Sequence, residues 1–531
     1  MTTVADVLAH TLQTAGIEIV FGLPGGENVE ILDDLRRHDI QFILVRNESS
    51  AVFMADVAAR LTGKPGVCLT TLGPGATNAY VGVAHAYLDR APVLLITAQT
   101  NERLLPGHTH QVLDLQAVFE PVTKFTASIT TENVYHTMQQ ALAMTMTGRP
   151  GPVHLSVSGD TAKQVVSPKE QPIKTTQKSD AAPSDISAAR EAFANAKRPV
   201  IVTGVGLEPE QPYEALRIFA EAAQAPVIST PKGKGSLADN HPLATGTLGL
   251  TRTDPVYEVL DEADCIIAVG FDVVELVKPW DQSAPLIWVA PWENEDANLP
   301  AVAEFVGPMT PVLEQFSDLI FDSDTDWGEA RVSQFRQKLA QAPLPSPTKG
   351  TMLPQAVLRA IRDQVPPDTL ITTDVGSHKI CTALSWPTDV PNRYMVSNGL
   401  SAMSFGVTGA IAAAFILDQP TVCITGDAGL GMVMGELSLI TELDLPVIIV
   451  VMNDEAIDLI RSAQVRAGKP VFGTEFINPK FGLIAEAFGL EFHQVATEAA
   501  CNTAITTAMA SARPTLIEAL IDPRGYPTHP K

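Results

Sequence analysis

The sequence predicts an α/β protein built from three doubly wound parallel-sheet domains, and three observations carry that expectation. Apolar runs of strand length alternate with helix-length segments along most of the chain, the pattern of crossover-connected parallel strands. Two stretches without apolar period, 159–183 and 342–347, interrupt the alternation and read as linkers. At 531 residues the chain exceeds what one core holds and suggests about three domains. The expected divisions are 1–165, 184–340 and 350–531.

The first region opens with an amphipathic helix over 3–15 that stops at Gly16, then a strand over 17–21 and the tight turn Leu23-Pro24-Gly25-Gly26. A helix over 27–36 and a strand over 42–46 follow. Asn47 reads as the N-cap of a helix that runs to Thr62 and stops at Gly63. A strand over 67–72 leads into Gly73-Pro74-Gly75, a helix over 76–88 and a strand over 93–97. In the second region the strands are 200–204, 226–230, 265–270 and 286–290, with a helix over 212–223. Its turn Gly204-Val205-Gly206 suits a phosphate or an ordinary strand-to-helix connection, because a lone G-x-G is a weak signal. The third region holds a strand over 369–374, a small-residue helix over 404–417, a helix over 431–443 and a strand over 446–452.

Hydrophobic residues make up 45% of the chain, but the longest apolar runs are far too short to span a bilayer. A net charge of −24 argues against nucleic-acid and anionic-membrane partners. The five cysteines (68, 265, 381, 423, 501) lack paired spacing and read as free thiols of a reducing compartment. The opening helix carries no cationic-then-apolar signal, so a cytoplasmic location is expected.

Chemistry concentrates in Thr425–Gln464. Ligands of doubly wound sheets collect outside the carboxyl ends of strands. Two such ends deliver Asp427 and Asp454, with Gly426, Ala428 and Gly429 beside the first. Hard oxygen donors facing one spot are what Mg²⁺ needs when it also holds a diphosphate. Glu48 follows a buried strand directly and opens an apolar helix; taken alone, it is a carboxylate favoured by the helix dipole. Its company widens the reading, because Gly73–Asn78, Asp374–His378 and Gly399–Met403 all lie at strand-to-helix junctions.

On these motifs the chain resembles thiamine-diphosphate enzymes of the acetolactate synthase (acetohydroxyacid synthase) group, over essentially its whole length. The resemblance rests on Phe21-Gly22-Leu23-Pro24-Gly25-Gly26, Arg46-Asn47-Glu48 and Thr71-Leu72-Gly73-Pro74-Gly75-Ala76-Thr77-Asn78. It rests further on Asp374-Val375-Gly376-Ser377-His378, Asn398-Gly399-Leu400-Ser401-Ala402-Met403 and Gly426-Asp427…Asn453-Asp454. It implies pyrimidine-binding, middle and diphosphate-binding domains, in that order. It also implies that Asp427, the Asp454 side chain and the Ala456 carbonyl hold Mg²⁺ on the diphosphate, with Ile457 beside them. The family has Gly-Asp-Gly and Asn-Asn where this chain has Gly-Asp-Ala and Asn453-Asp454, so Asn453 and Asp454 both stay open as the second ligand. Gly376, Ser377 and His378 would meet the phosphates. Met403 would bend the cofactor, the Ser401 carbonyl would receive its amino group, and Pro24 and Asn78 would line the pyrimidine pocket. Glu48 would hold the pyrimidine, and Gln111 would lie near the substrate carbonyl. His110 stands where the family has an aromatic residue.

The implied reaction is decarboxylation of a 2-oxo acid, pyruvate foremost, with ligation of the remaining two carbons to a second carbonyl compound. A simple decarboxylase of a bulkier or charged 2-oxo acid is the alternative, and a non-catalytic cofactor-binding protein is a third reading. Family members that bind FAD carry Arg-Phe-Asp-Asp-Arg in the middle domain; here Gly270-Phe271-Asp272-Val273-Val274-Glu275 stands there, so no FAD is expected. The Gln-Trp pair of the biosynthetic enzymes is missing from Leu459–Gln464, a segment closer to glyoxylate carboligases, which lack the glutamate that Glu48 supplies. The sequence stops at Lys531, so no long substrate-covering tail is expected. The resemblance further implies a homodimer or homotetramer with active sites between chains.

Overall fold

Among the described residues, eighteen parallel strands form three six-stranded sheets. The computed structural model describes residues 1–105, 110–167, 186–251, 254–277, 280–319 and 325–528. The first sheet comprises β1 (Ile19–Leu23), β2 (Gln41–Leu44), β3 (Gly66–Thr70), β4 (Val93–Gln99), β5 (Phe125–Ser128) and β6 (Val153–Ser158), in the order β2-β1-β3-β4-β6-β5. The second comprises β7 (Pro199–Thr203), β8 (Val227–Ser229), β9 (Ala244–Thr247), β10 (Cys265–Val269), β11 (Leu286–Ala290) and β12 (Ala301–Val306), ordered β12-β11-β10-β7-β8-β9. The third comprises β13 (Ile371–Thr373), β14 (Tyr394–Val396), β15 (Thr421–Gly426), β16 (Val447–Asn453), β17 (Glu491–Val495) and β18 (Thr515–Leu520), ordered β14-β13-β15-β16-β18-β17.

The first and third sheets therefore share one strand order, and the second has the 3-2-1-4-5-6 order of dinucleotide-binding folds. Central strands are buried along their length, as an all-parallel sheet covered on both faces requires. In each sheet the chain leaves its first strand in one direction and returns on the other side. That reversal opens a crevice between β1 and β3, between β7 and β10, and between β13 and β15.

The described residues fall into two compact units: Met1–Gln177 with Leu400–Thr421 and Gly429–Val447, and Lys178–Gly399 with Val422–Ala428 and Ile448–Lys531. In the first, helix Phe405–Leu417 packs beside helix Glu48–Thr62.

Several expectations need correction. β5, β6, β9, β12, β14, β17 and β18 are strands beyond those expected; β6 reads VHLSVS, and its buried His154 is satisfied by the hydroxyls of Thr97 and Thr126. Residues 159–167 are not linker: Gly159–Ala162 is helical, capped by the Ser158 hydroxyl, and Val165 bridges to Thr3. The rest of that expected linker, 168–183, lies outside the described residues. The expected helix over 431–443 is broken into Asp427–Met432, a turn at Met434–Glu436 and Leu437–Glu442. Gly429, Gly431 and Gly435 explain the break, since glycine weakens a helix interior.

Candidate active site

The β13/β15 crevice is lined by the two turns that the sequence singled out. Gly376 follows β13, and Gly426 ends β15. The buried His378 ring lies against both, so a Cβ on Gly376 or Gly426 would stand 2.8 or 3.0 Å from its Cε1. Gly376 also has φ +152°, which side chains rarely adopt. Burial pushes the His378 pKa down to about 4, leaving a neutral ring whose Nε2 is buried without a partner. Ser377 is also buried; its hydroxyl donates to Asp458 at 2.8 Å and accepts from Thr528 at 3.1 Å.

Asp427 is buried at the start of its helix, and burial raises its pKa against four hydrogen bonds. The Ala428 amide donates to one carboxylate oxygen at 2.8 Å; the Glu455 amide and the Asn478 side chain reach the other at 2.8 and 2.7 Å. The Asn453 carbonyl oxygen accepts from the same Asn478 amide at 3.0 Å and from Glu455 at 3.2 Å, while its own amide donates to Glu518 at 2.6 Å. Asn453 is therefore engaged on both sides.

Asp454 differs. Its carboxyl accepts from the Ala456 amide at 3.3 Å, and Arg461 stands 3.9 Å away. Burial pushes its pKa up to about 8, and repulsion from Asp427 and Asp458 adds to the rise. Glu455, next to it, holds a left-handed φ of +53°, a strained state typical of built sites. Ala456 is buried and bridges to Glu475, whereas Ile457 is exposed. Among the described residues, no three or more His, Cys, Asp or Glu side chains gather to hold a metal by themselves. A cation here needs backbone and ligand oxygens besides the two aspartates.

In the other unit, helix Glu48–Thr62 begins where expected: Asn47 accepts from the Ser49 amide, and Gly63 ends it at φ +69°. The Glu48 side chain is buried, accepts from Asn78 at 3.1 Å, and lies 3.1 Å from where a Gly75 Cβ would be. The start of the helix is fixed by Glu436, whose carboxylate accepts from the Arg46 and Asn47 amides at 3.0 and 2.9 Å. Pro24 and Gly25 follow β1, and a Cβ on Gly25 would collide with Thr71 after β3. The Gln111 backbone packs on Gly73, which brings it to the same turn, and both His110 and Gln111 are exposed. His108 and Thr109, the start of that motif, lie outside the described residues. Ser401 is exposed at φ +54°, and Met403 is half-buried.

The structure thus groups Gly376, Ser377, His378, Gly426, Asp427, Ala428, Asp454 and Ala456 in one unit, and Pro24, Glu48, Asn78, Gln111, Ser401, Met403 and Gly429 in the other. Sequence reasoning missed Asn478 and Glu436. The first lies in a loop 51 positions beyond Asp427, and no local pattern marks either.

In the middle sheet the β7/β10 crevice is filled. The buried Glu275 carboxyl group accepts from the Val205 amide at 3.0 Å and from Thr230 at 2.5 Å. A Cβ on Gly206 would lie 2.8 Å from both the Gly270 carbonyl and Trp292. The Gly204-Val205-Gly206 turn is therefore an internal strand-to-helix connection, not a phosphate loop.

Three such sheets, two of one strand order with glycine-lined turns at their switch points, define an α/β protein of the doubly wound class, whose ligands bind at the carboxyl ends of its strands. Family models describe the same three parts. Residues 2–118 match the N-terminal TPP binding domain of thiamine pyrophosphate enzymes, 186–316 the central domain and 374–519 the C-terminal TPP binding domain. The chain belongs to the thiamine pyrophosphate enzyme family, and it is a thiamine-diphosphate-dependent enzyme. Its relatives include a probable acetolactate synthase large subunit of Methanococcus aeolicus, 30% identical over 98% of this chain and 92% of that protein. The large subunits of Escherichia coli acetolactate synthase isozymes 1 and 3 are each 31% identical, over 99% and 91% of this chain and 96% and 88% of their own lengths. No helix among the described residues is long and apolar enough to cross a membrane.

Proposed function

We propose that the enzyme decarboxylates pyruvate and joins the remaining two-carbon unit to a second carbonyl compound, as an acetolactate synthase does. The observation that carries this reading is Glu48, a buried carboxylate met by Asn78 at a glycine-lined turn beside Gln111. Thiamine diphosphate, when bound, supplies the electron sink that lets a 2-oxo acid lose CO₂. Glu48 would hold and move the proton at the pyrimidine ring. Met403 and the Ser401 carbonyl would shape and receive that ring, with Pro24 and Asn78 beside it. Gln111 and His110 would face the substrate.

The residues of the diphosphate half fit a diphosphate held by Mg²⁺. His378 keeps a buried, unpartnered ring nitrogen next to Gly426. Asp427, Asp454 and the Ala456 carbonyl are the hard donors such a cation takes, with Gly376, Ser377, Ala428, Gly429 and Ile457 as the surrounding shell. Between the two open ligands, full engagement of Asn453 favours Asp454. FAD has no part in this reading, because Gly270–Glu275 stands where the FAD-binding members carry Arg-Phe-Asp-Asp-Arg. The domains would divide as 1–165, 184–340 and 350–531. The working form would be a cytoplasmic homodimer or homotetramer with active sites between chains.

Purified protein given pyruvate, thiamine diphosphate and Mg²⁺ should form acetolactate; pyruvate left unconsumed would overturn the substrate assignment. The missing Trp in Leu459–Gln464 and the exposed His110 favour a second reading, decarboxylation of a bulkier or charged 2-oxo acid with release of an aldehyde. A panel of 2-oxo acids scored for aldehyde against ligated product separates the two.

A further inference from the structure

The helix that begins at Glu48 carries, two and three turns along, a buried charged cluster apart from the residues proposed to touch cofactor or substrate. Asp56 accepts from Arg60 Nε at 2.6 Å and from His85 Nε2 at 2.8 Å, and the other imidazole nitrogen, Nδ1, reaches Asp89 at 2.9 Å. Arg60 closes the ring by donating to the Asp89 carbonyl at 2.7 Å. All four side chains are buried, with Asp56, His85 and Asp89 wholly so. Burial alone lowers the His85 pKa, but Asp89 and Asp56 outweigh it and raise it, and each ring nitrogen faces one of these two carboxylates.

This cluster grips one segment at both ends. The Asp89 carboxylate accepts from the Leu400 amide at 3.5 Å. The His85 ring packs on Phe405 with centroids 5.1 Å apart, and Phe53 packs on His85 at 5.1 Å and on Phe405 at 6.0 Å. Between the grips lie Ser401 and Ser404, non-glycine residues at φ +54° and +87°. Left-handed backbone of that kind persists only where the surroundings impose it. We infer that His85, with Asp56, Asp89 and Arg60, is a positioning clamp that holds Leu400–Phe405, and with it Ser401 and Met403, in the shape that binds the aminopyrimidine of thiamine diphosphate. The inference rests on the cofactor role proposed for Ser401 and Met403.

The test titrates thiamine diphosphate, at saturating Mg²⁺, into wild type, His85→Ala, Asp89→Asn and Met403→Ala. Binding is read from quenching of tryptophan fluorescence and from thermal shift; half-saturation and kcat are read from turnover. His85→Ala should raise the half-saturating cofactor concentration at least about tenfold while kcat at saturation falls less than about threefold. Asp89→Asn keeps the side-chain volume and should raise it several-fold, which keeps the test decisive if His85→Ala does not fold. A lower melting temperature with unchanged cofactor half-saturation in these variants would reduce the cluster to a structural role and overturn the clamp. If Met403→Ala weakens binding while the cluster variants do not, the clamp alone fails. If Met403→Ala also binds normally, the cofactor reading of the segment fails and the clamp with it.

Discussion

Glu275 allows the filled crevice of the middle sheet to be tested by pH. Burial pushes its pKa from 4.5 up to about 8; bonds from Thr230 and Val205 oppose the rise, and Asp272 adds to it. Below 4.5 the folded and unfolded states both carry the proton, and the group does not affect the balance. Between 4.5 and about 8 the folded protein keeps a proton that the unfolded chain has released, so raising the pH favours unfolding. Linkage gives at most about 1.4 kcal/mol per pH unit in that window, hence roughly 2 kcal/mol between pH 6 and pH 8. Glu275→Gln removes the titration while keeping an acceptor for the Val205 amide and a polar partner for Thr230. Four of the five tryptophans (280, 288, 292, 327) lie in the middle region, so their fluorescence reports its unfolding. The melting temperature of the variant relative to wild type should rise from pH 6 to pH 8 by roughly 4 to 8 °C, at about 2 to 4 °C per kcal/mol. Melting curves that move in parallel across that range would refute the burial of an ionisable group in the crevice.

Four further outcomes are expected. Glu48→Gln should bind thiamine diphosphate like wild type and lose turnover by about 10² or more, the scale of a lost proton-transfer group; unchanged kcat removes its role. Asn478→Ala removes one of the hydrogen bonds that orient the Asp427 carboxylate, at 2.7 Å, so the Mg²⁺ needed for half-maximal activity should rise about 10-fold or more. A normal Mg²⁺ titration would show that Asn478 does not position a metal ligand. Glu436→Ala strands two amide donors at the start of the Glu48 helix and should cost roughly 2 to 4 kcal/mol, read as a lowered unfolding midpoint; an unchanged midpoint counts against that cap. Light scattering should find at least a dimer, and a fully active monomer would contradict sites shared between chains.

Features written into neighbouring residues were legible in the sequence. The Asn47 cap and the Gly63 stop fixed both ends of the Glu48 helix, because capping is a local hydrogen-bond problem. The turns at Gly376 and Gly426 could be read for the same reason, since a glycine beside a close-packed ring leaves a mark in one short motif. Polar side chains concealed β6, where His154 finds its partners only after β4 and β5 have assembled beside it. The break in the helix after Asp427 is hidden in the sequence because apolar spacing continues across its three glycines.

What stayed hidden depends on residues far apart in the chain that meet only in the folded state. Glu436 stands 390 positions from the amide it caps, and Asp89 stands 311 from Leu400. The motifs name the atoms that chemistry requires, whereas these distant polar groups hold the named atoms in place. Homologues that share the motifs can therefore differ in how firmly the site is held. In this chain the firmness of Leu400–Phe405 depends on an imidazole between two aspartates, so a change at His85 should reach the cofactor without touching it.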